Sequence, residues 1–448
     1  MVKKIVILLI AVLFIVIVRC CKLEHKFHSL RKVLLITVLL FALGVRIFVV
    51  IKSNGLPLYH NDEQSYDSIA LNLAEGRGYS LGYGTNPPPT AMRGPSYVLL
   101  LASIYAIFGH NYTYVHIFQI MIDCLSCLLL FRICKRLFGR TDAAILASFI
   151  YAIYPPFVLY TQRILTETFI IFLSTLSISL FIDFELFKKK SALYICAVVI
   201  GIAVLSKPIL LLTPLIFYLS TIKTEKRLYR AREMLVQFVL IGLVMSPWVV
   251  RNFVVFHSFI PGVTQGGITF WGGTGPVNGR LVGSLDDAWV PEHIRSSAKN
   301  MSEVERDKWF YREGLNVIKD NPIRYLRIVI KKIPRLWFNI GDDKPLVYKQ
   351  SKNIGSSSAT WLNEENAFSK FLMLAILLAT IGIIRERPPR FSVNLLLWLV
   401  IYYTIIHMVF FSVFRYSLPV YAYLFCFSAA GIASFVGGKR KVDEEAQP

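Results

Sequence analysis

The chain has 448 residues, of which 55% are hydrophobic and 14% aromatic, and its mean hydropathy is +0.54. Uninterrupted apolar runs of about 20 residues are typical of bilayer spans, so this composition excludes a soluble globular protein. The net charge of +21 does not indicate a nucleic-acid partner. The lysines and arginines cluster in short loops between apolar runs, where they set the orientation in the membrane.

Eleven apolar runs predict the membrane helices. They lie at about 5–18, 33–51, 113–131, 143–160, 165–184, 191–206, 208–222, 234–255, 367–384, 391–412 and 416–436. If each run crosses the bilayer once, six basic segments share one side, and the excess of Lys and Arg makes that side cytoplasmic. The expected fold class is an all-α polytopic membrane protein with about 10–11 transmembrane helices.

The first run, 5–18, is shorter than a typical span. An additional span, a signal-like anchor and an upstream extension of the open reading frame all agree with its composition. Because it lacks a small-residue cleavage site, we expect it to be a membrane anchor.

Two long loops are predicted on the extracytoplasmic side. The first long loop covers residues 52–112 and the second covers 257–366. Within the first, residues 96–108 are apolar but too short for a span, and counting them as one would move the next basic segment to the wrong side. We therefore expect this stretch to form a helix on the membrane surface.

Two helices are predicted in the second long loop. Ser302 and Glu305 have the spacing of a capping box, and the helix that they start should end near Asn321-Pro322. A basic amphipathic helix, Ile323–Phe338, should follow it and lie on the membrane surface.

The predicted organisation has five parts. They are an N-terminal anchor with a basic cytoplasmic loop, a membrane module that contains the first long loop, an extracytoplasmic loop domain, a C-terminal group of transmembrane helices, and a cytoplasmic tail. These parts cover residues 1–32, 33–256, 257–366, 367–436 and 437–448.

A short amphipathic helix is predicted at the start of the first long loop, where His60 to Tyr79 reads HNDEQSYDSIALNLAEGRGY. Asn61 or Asp62 would cap this helix and Gly76 would end it. Its apolar stripe at helical spacing consists of Tyr66, Ile69, Ala70 and Leu73. Acids at a helix N-terminus also stabilise the free N–H groups and the helix dipole, which is the structural alternative to a catalytic role.

The motifs along the chain resemble those of the GT-C glycosyltransferases, in particular the bacterial relatives of protein O-mannosyltransferases and of lipid A aminoarabinose transferases. The first long loop combines D-E-x-x-Y, a G-x-G-Y turn, and a basic residue before a Gly/Pro-Tyr surface helix that ends in F-G. The resemblance extends over roughly residues 33–436. Further matches are Gln162–Glu167, Leu205–Pro208, Pro247–Asn252, Thr264–Gly279 and Arg415–Pro419.

The resemblance implies that a sugar is moved from a polyprenyl phosphate to an acceptor hydroxyl, with inversion at the anomeric carbon. A hydroxyl is a poor nucleophile, so a carboxylate must take its proton. Asp62, the first acid of the family motif, is the candidate base, and Glu63 is expected to orient it or to contact the acceptor. The leaving phosphate needs fixed cations, and the resemblance assigns this role to Arg93, Lys207 and Arg415.

Three further residues complete the expected substrate-binding set. Glu167 begins a span, and the match implies that it lines the sugar pocket; Tyr66 and Tyr416 belong to the matched motifs. Structural alternatives exist here too. Glu167 can be a helix-start acid, Lys207 can snorkel to the headgroups, and Arg415 can be an interfacial anchor.

Four other charged residues are interpreted as structural. Arg163 and Arg251 lie at outer helix ends. Arg46 and Asp123 lie inside apolar runs, where an unpaired charge is costly, so each should have a partner.

No obligatory metal or other cofactor is expected. His60 and His257 have no third ligand at the spacing of a metal site. A single phosphate faced by three cations does not require a metal, although a competing interpretation places one between Asp62 and Glu167. The glycine-rich segment Thr264–Gly279 lacks the G-K-[ST] ending of a P-loop and is interpreted as a loop folding over a cavity.

The expected partners are a polyprenyl-phosphate sugar, an acceptor on a protein, lipid or glycan, and membrane lipids, without nucleic acid. The active site is expected on the extracytoplasmic side of the cell membrane. A surface-polysaccharide polymerase or ligase with a polyprenyl-linked donor is the nearest alternative, and a lipid or sugar transporter is a more distant one. Transporters usually show internal symmetry, which is not evident in this sequence.

Overall fold

The computed structural model describes residues 28–53, 61–221, 227–285, 290–338 and 365–436. The predicted anchor 5–18 and the predicted tail 437–448 lie outside these ranges. Within them the chain is α-helical, with two isolated β-bridges and no strand. The expected class, an all-α polytopic membrane protein, is confirmed.

The described part contains seventeen α-helices and two 3₁₀ helices. The α-helices are α1 His28–Ser53, α2 Asn61–Ala74, α3 Pro95–Phe108, α4 Tyr112–Phe138, α5 Thr141–Ile153, α6 Pro155–Tyr160, α7 Glu167–Phe187, α8 Lys190–Val204, α9 Thr213–Ser220, α10 Arg227–Phe256, α11 Gly266–Gly273, α12 Glu292–Lys299, α13 Glu303–Asp320, α14 Pro322–Phe338, α15 Glu365–Glu386, α16 Arg390–Val409 and α17 Leu418–Val436. The 3₁₀ helices are Pro208–Leu212 and Phe414–Ser417.

Six helices in the described ranges are long and apolar enough to cross a bilayer, and they lie in α1, α4, α7, α10, α16 and the 3₁₀–α17 segment. The sequence predicted ten spans in these ranges. Prolines account for part of the difference, because they lack an N–H and disfavour a helical residue before them. Pro155 divides the run 143–160 into α5 and α6, and Pro208 starts a 3₁₀ turn, so that α9 has only 8 residues.

Small residues let α15 and α17 pack closely. A Cβ on Gly431 would overlap the carbonyl oxygen of Leu378, and a Cβ on Gly382 would overlap that of Phe427. Helices in membranes associate through such close backbone contacts because lipid offers no hydrophobic driving force between them.

Ion pairs tie several helix ends together at the basic end of the bundle. Arg132 and Arg136 of α4 both pair with Asp183 of α7. Arg140 bridges Asp142 and Glu386, with Nη1 2.9 Å from the glutamate. Through Arg140 and Glu386, the second and fifth predicted basic segments lie at the same end of the described helices.

Arg46 and Asp123 pair with each other deep in the bundle, as their positions in apolar runs required. Tyr151 also donates to Asp123, at 2.5 Å. Arg46 makes further hydrogen bonds to the carbonyls of Ala42 and Ala152, at 3.1 and 3.2 Å.

The predicted loop helices form at the expected places. In α2 the side chains of Tyr66, Ile69 and Ala70 are buried, and the Tyr66 ring lies 5.3 Å from that of Tyr97 in α3. Gly76, just beyond α2, has a φ of +78°, a conformation that favours glycine. The capping box of Ser302 and Glu305 starts α13, and α14 follows directly.

The glycine-rich segment is where the prediction of a loop is wrong, since residues 266–273 form the helix α11. Its glycines serve close helix packing. A Cβ on Gly267 would overlap the carbonyl oxygen of Asp307, and one on Gly266 would overlap the Tyr311 hydroxyl. The segment lies against α13 as a short helix because only glycine permits that approach.

Candidate active site

The first turn of α2 carries Asp62 into a cluster of cations. One carboxylate oxygen of Asp62 accepts a hydrogen bond from Arg93 Nη2 at 2.6 Å, and the other accepts one from Arg415 Nη2 at 2.7 Å. Arg93 precedes α3, whereas Arg415 lies in the 3₁₀ turn before α17. Residues 353 positions apart in the sequence are thus joined through one carboxylate.

The two arginines determine the ionisation of Asp62. Burial alone would raise the pKa of this carboxyl, but the charges of Arg93 and Arg415 and their hydrogen bonds outweigh it and hold the pKa well below its usual range. Asp62 is therefore an ionised carboxylate, and its side chain is still 27% exposed.

Arg93 is fixed by four contacts. Besides Asp62, it donates from Nε to Ser65 Oγ at 2.7 Å and from Nη1 to Gln265 Oε1 at 2.6 Å. Its guanidinium also lies 4.9 Å from the centre of the Tyr66 ring, a cation–π distance. The neighbouring Gly94 lets the chain approach residue 205, since a Cβ there would overlap the Leu205 carbonyl oxygen.

A second carboxylate binds the other cations of the cluster. Glu167, at the first position of α7, lies 3.2 Å from Lys207 Nζ and 3.5 Å from Arg415 Nε. Lys207 also lies over the ring of Tyr416, 4.6 Å from its centre. The other oxygen of Glu167, Oε2, is buried with no hydrogen-bond partner among the described residues.

Glu63 does not join this cluster. It accepts from Arg163 Nη2 at 2.7 Å and from the backbone N–H of Ile164 at 3.3 Å, and its side chain is buried. Successive residues of an α-helix point about 100° apart, so Asp62 and Glu63 cannot face the same way. The structure places Glu63 in a buried ion pair that anchors α2 to the segment before α7.

A large cavity opens beside the cluster, with a volume of about 1010 Å³. The predicted residues that line it are Asp62, Tyr66, Arg93, Glu167, Lys207, Arg415 and Tyr416. Seven of the eight predicted site residues therefore meet at one cavity, and Glu63 does not.

The second long loop forms another wall of this cavity, which the sequence did not predict in detail. Asp307 and Tyr311 of α13 line it together with Gln265. Glu303, one turn before Asp307, accepts from Thr90 Oγ1 at 2.7 Å and from the backbone N–H of Ala91 at 2.8 Å. Glu303 and Asp307 are four residues apart and so share one face of the helix. That spacing is the sequence pattern that could have indicated this wall of the cavity.

The helix α14 holds the segment that carries Arg415. Lys332 is 1% exposed and donates to the carbonyls of Met408 and Phe410, at 2.8 and 3.1 Å. Arg335 Nε donates to the Ser412 carbonyl at 2.7 Å. These two side chains satisfy carbonyls at and just beyond the C-terminal end of α16, where such groups have no partner within the helix.

Among the described residues, no three His, Cys, Asp or Glu side chains are grouped closely enough to hold a metal. Arg251, interpreted as structural, donates to the carbonyls of Thr90 and Tyr79 at 2.7 and 2.9 Å. It thereby ties α10 to the first long loop.

The sequence profile of the dolichyl-phosphate-mannose-protein mannosyltransferase family matches residues 92–250. No curated protein matches the chain significantly. The matched segment includes Arg93, Glu167 and Lys207.

The fold is similar to that of solved membrane enzymes. An oligosaccharyltransferase from Archaeoglobus fulgidus, tethered to an acceptor peptide, aligns with 91% of this chain and 50% of its own, at 16% identity and a TM-score of 0.54. The oligosaccharyltransferase AglB from Archaeoglobus fulgidus, in complex with an inhibitory peptide and a dolichol-phosphate, aligns with 90% and 50%, at 13% identity and a TM-score of 0.50. ArnT from Cupriavidus metallidurans bound to undecaprenyl phosphate aligns with 92% and 78%, at 12% identity and a TM-score of 0.43.

The chain is a polytopic membrane protein with the GT-C fold, as the sequence motifs predicted. Its residues 92–250 are similar to the dolichyl-phosphate-mannose-protein mannosyltransferase family. It spans about half the length of the archaeal oligosaccharyltransferases that it matches.

Proposed function

We propose that the protein is a glycosyltransferase that moves one sugar from a polyprenyl phosphate to an acceptor hydroxyl, with inversion. The observation that carries this proposal is the position of Asp62 between Arg93 and Arg415 at the wall of the 1010 Å³ cavity. The matching family is named for a dolichyl-phosphate mannose donor, and AglB was solved with a dolichol-phosphate. Both support a lipid-linked donor.

In the proposed reaction the donor phosphate binds to the three cations in place of the carboxylates that they now contact. Arg93, Arg415 and Lys207 now bind Asp62 and Glu167. A phosphate monoester or diester accepts the same hydrogen bonds, and the planar fork of an arginine suits it well. Three cations fixed around one site also neutralise the charge that develops as the phosphate leaves.

Asp62 acts as the base, and donor binding activates it. Each hydrogen bond that Arg93 or Arg415 transfers to the phosphate removes a contact that now lowers the pKa of Asp62. The carboxylate becomes a stronger base once the donor is in place. It then accepts the acceptor proton as the acceptor oxygen attacks the anomeric carbon, and the polyprenyl phosphate leaves with the bonding electrons.

Inversion follows from a single displacement. Asp62 has a role as base, while Glu167 binds Lys207 and Arg415, the groups that face the phosphate. Retention by a double displacement would need a carboxylate nucleophile on the face of the sugar opposite the phosphate, in addition to the acid–base residue. The proposal uses one carboxylate and one attack.

We further propose that the reaction takes place on the extracytoplasmic face. Among the described residues, Arg132 and Arg140 pair with Asp183 and Glu386 at one end of the bundle, and Arg230 pairs with the nearby Glu185. The excess of positive charge marks cytoplasmic loops. The helix α2, which carries Asp62, follows the span α1, and the second long loop follows the span α10. Both segments are therefore expected at the opposite end.

Lipid extracts test the proposal. In a strain that lacks the protein, mass spectrometry should show an accumulated polyprenyl-phosphate sugar, and it should persist when Asp62→Asn replaces the wild type. Asp320→Asn is the matched control, because this exposed residue ends α13 away from the cavity, and it should restore the wild-type lipid pattern. An unchanged lipid pattern in the deletion strain would contradict the proposal.

A further inference from the structure

The cavity wall beside the cations carries a polar pair, Gln265 and Asp307, that the proposed mechanism does not use. Gln265 accepts from Arg93 through Oε1, and its amide nitrogen makes no hydrogen bond to the described residues. Asp307 accepts from the backbone N–H of Gly267 through Oδ1 at 2.6 Å, and its Oδ2 makes none to the same part of the chain. One free donor and one free acceptor thus flank Gly266 and Gly267 at the cavity wall.

We propose that Gln265 and Asp307 form a hydroxyl-binding subsite that holds the sugar ring of the lipid-linked donor. This inference rests on the proposed function and adds the residues that recognise the transferred sugar. A sugar presents neighbouring hydroxyls that each donate and accept hydrogen bonds, so a carboxylate acceptor beside an amide donor suits a pair of them.

The distance from the cations supports the assignment. The sugar is joined to the phosphate through one oxygen, so its hydroxyls must lie within a few ångströms of the groups that bind phosphate. Gln265 meets this condition because it is hydrogen-bonded directly to Arg93, at 2.6 Å. Asp307 is bonded to the residue two positions further along the same segment.

The subsite is held rigidly, as recognition requires. Thr269 of α11 accepts from the backbone N–H of Phe411 at 2.9 Å, which joins α11 to the segment that carries Arg415. On the other side, Gly267 packs against Asp307 so closely that a Cβ would overlap the Asp307 carbonyl oxygen. Burial raises the pKa of the Asp307 carboxyl in spite of the Gly267 hydrogen bond, as expected for an acceptor that lacks full solvation.

The nearby aromatic ring of Tyr311 adds an apolar surface to the subsite. Tyr311 lies one turn after Asp307 on α13, lines the same cavity, and stacks at 5.7 Å on Phe270. Carboxylate and amide groups beside an aromatic face provide both hydrogen bonds for hydroxyls and an apolar surface for the C–H face of a ring.

Binding of purified full-length protein to two kinds of lipid tests the subsite. One is bare undecaprenyl phosphate, and the other is a panel of undecaprenyl-phosphate glucose, mannose and galactose, in which mannose and galactose each differ from glucose at a single hydroxyl. The wild type should bind one glycosylated lipid more tightly than the bare lipid. Asp307→Asn, which replaces the free acceptor oxygen by a donor, should weaken that binding about tenfold and leave bare-lipid binding unchanged or tighter.

The change in binding of the glycosylated lipid separates recognition from charge, because a subsite predicts weaker binding of that lipid. If Asp307 acted only through its negative charge, its removal would strengthen the binding of both anionic lipids. Asp320→Asn on the same helix is the control and should match the wild type for every lipid. If the Asp307→Asn variant kept the wild-type preference for the glycosylated lipid, the subsite proposal would be wrong and the proposed function would still stand.

Two results on the wild type alone are also decisive. Equal affinity of the wild type for the three glycosylated lipids and for the bare lipid would overturn the subsite. This result does not depend on whether the variant folds. Failure to bind any polyprenyl phosphate, with or without a sugar, would overturn the proposed function and the subsite together. Because no acceptor is present in these measurements, a role of Asp307 in acceptor binding alone would leave the preference for the sugar intact.

Discussion

Asp62 makes hydrogen bonds to the two arginines that the proposed mechanism also needs for the donor phosphate. This competition gives the residue two measurable properties. It should be essential for transfer, and its removal should free cations for the phosphate. A carboxylate that served only to cap α2 would have neither property.

We expect Asp62→Asn to lower the rate of transfer by about 100- to 10,000-fold, the usual effect of losing a general base. Donor binding should be retained or become tighter, because the competing charge on Arg93 and Arg415 is gone. Single-turnover rates and lipid binding of the purified variant measure the two effects. Transfer at the wild-type rate would remove Asp62 from the mechanism.

The pH dependence should reflect the depressed pKa of Asp62. In the donor-free protein Arg93 and Arg415 hold this pKa below its usual range, so the carboxylate stays ionised on acidification. The profile of kcat/KM, which reports the free enzyme, should therefore show no loss from Asp62 between about pH 5 and 7. An acid limb in that interval that disappears in an Asp62 variant would contradict this assignment.

Lys207→Ala and Arg415→Ala should impair the use of the donor more than that of the acceptor. Both cations surround Glu167 and Tyr416 at the cavity wall, so both donor binding and departure of the phosphate should suffer. Separate measurements of KM for donor and acceptor distinguish the effects. A change confined to the acceptor KM in both variants would show that the phosphate lies elsewhere.

Among the helices, α14 has a role that its amphipathic sequence did not reveal. Its buried Lys332 donates hydrogen bonds to the carbonyls at the end of α16. Burial, and to a lesser extent the charge of Arg335, lowers the pKa of Lys332 to about 7. A protonated amine there destabilises the fold, and the unfolded chain binds its proton more tightly.

This depressed pKa predicts a stability effect of known sign. Between about pH 7 and the usual lysine value of about 10.4, the unfolded state binds more protons than the folded state, so stability rises with pH. The wild-type Tm should therefore gain more between pH 6.5 and 9 than that of Lys332→Met. Thermal unfolding of both proteins at the two pH values measures the difference, and equal gains would refute it.

The sequence predicted the helices of the long loops well because their signals are local. The stripe from Tyr66 to Leu73 and the capping box at Ser302 depend only on neighbouring residues. The glycines of α11 were misinterpreted because their cause is tertiary. They are small to admit Asp307 and Tyr311, residues some 40 positions away.

The same distinction applies to the site. The motifs identified Asp62, Arg93 and Arg415, but they did not separate Asp62 from Glu63, although the helical turn sends the two side chains in different directions. Gln265 lies in the matched segment Thr264–Gly279 but carried no signal of its own, and Asp307 belongs to no motif. Their relation to Arg93 exists only once α11 and α13 are packed together.

Over the whole molecule, charge is divided between two ends of the described helix bundle. One end gathers arginines around Asp183 and Glu386, and the other gathers Arg93, Lys207 and Arg415 around a cavity. The first set is satisfied by acids, whereas the second set faces open space in which an anion can replace its acids. The distribution suits a membrane enzyme with an anionic lipid substrate.

We expect transfer to proceed without an obligatory divalent cation. Three cationic side chains are available for one phosphate, and Asp62 must stay free to accept a proton. Activity should survive treatment of the purified protein with EDTA. Loss of activity on chelation, with recovery on adding Mg²⁺ or Mn²⁺, would instead make Asp62 a metal ligand together with Glu167.

The proposed mechanism requires that the cluster of Arg93, Lys207 and Arg415 binds a polyprenyl phosphate beside Asp62. An experimental structure of the full-length protein in lipid nanodiscs with undecaprenyl phosphate tests it without knowledge of the sugar or the acceptor. We expect density for the phosphate within hydrogen-bond distance of all three cations, with Arg93 and Arg415 displaced from at least one oxygen of Asp62. A phosphate bound at another site, with Asp62 still held by both arginines, would contradict it.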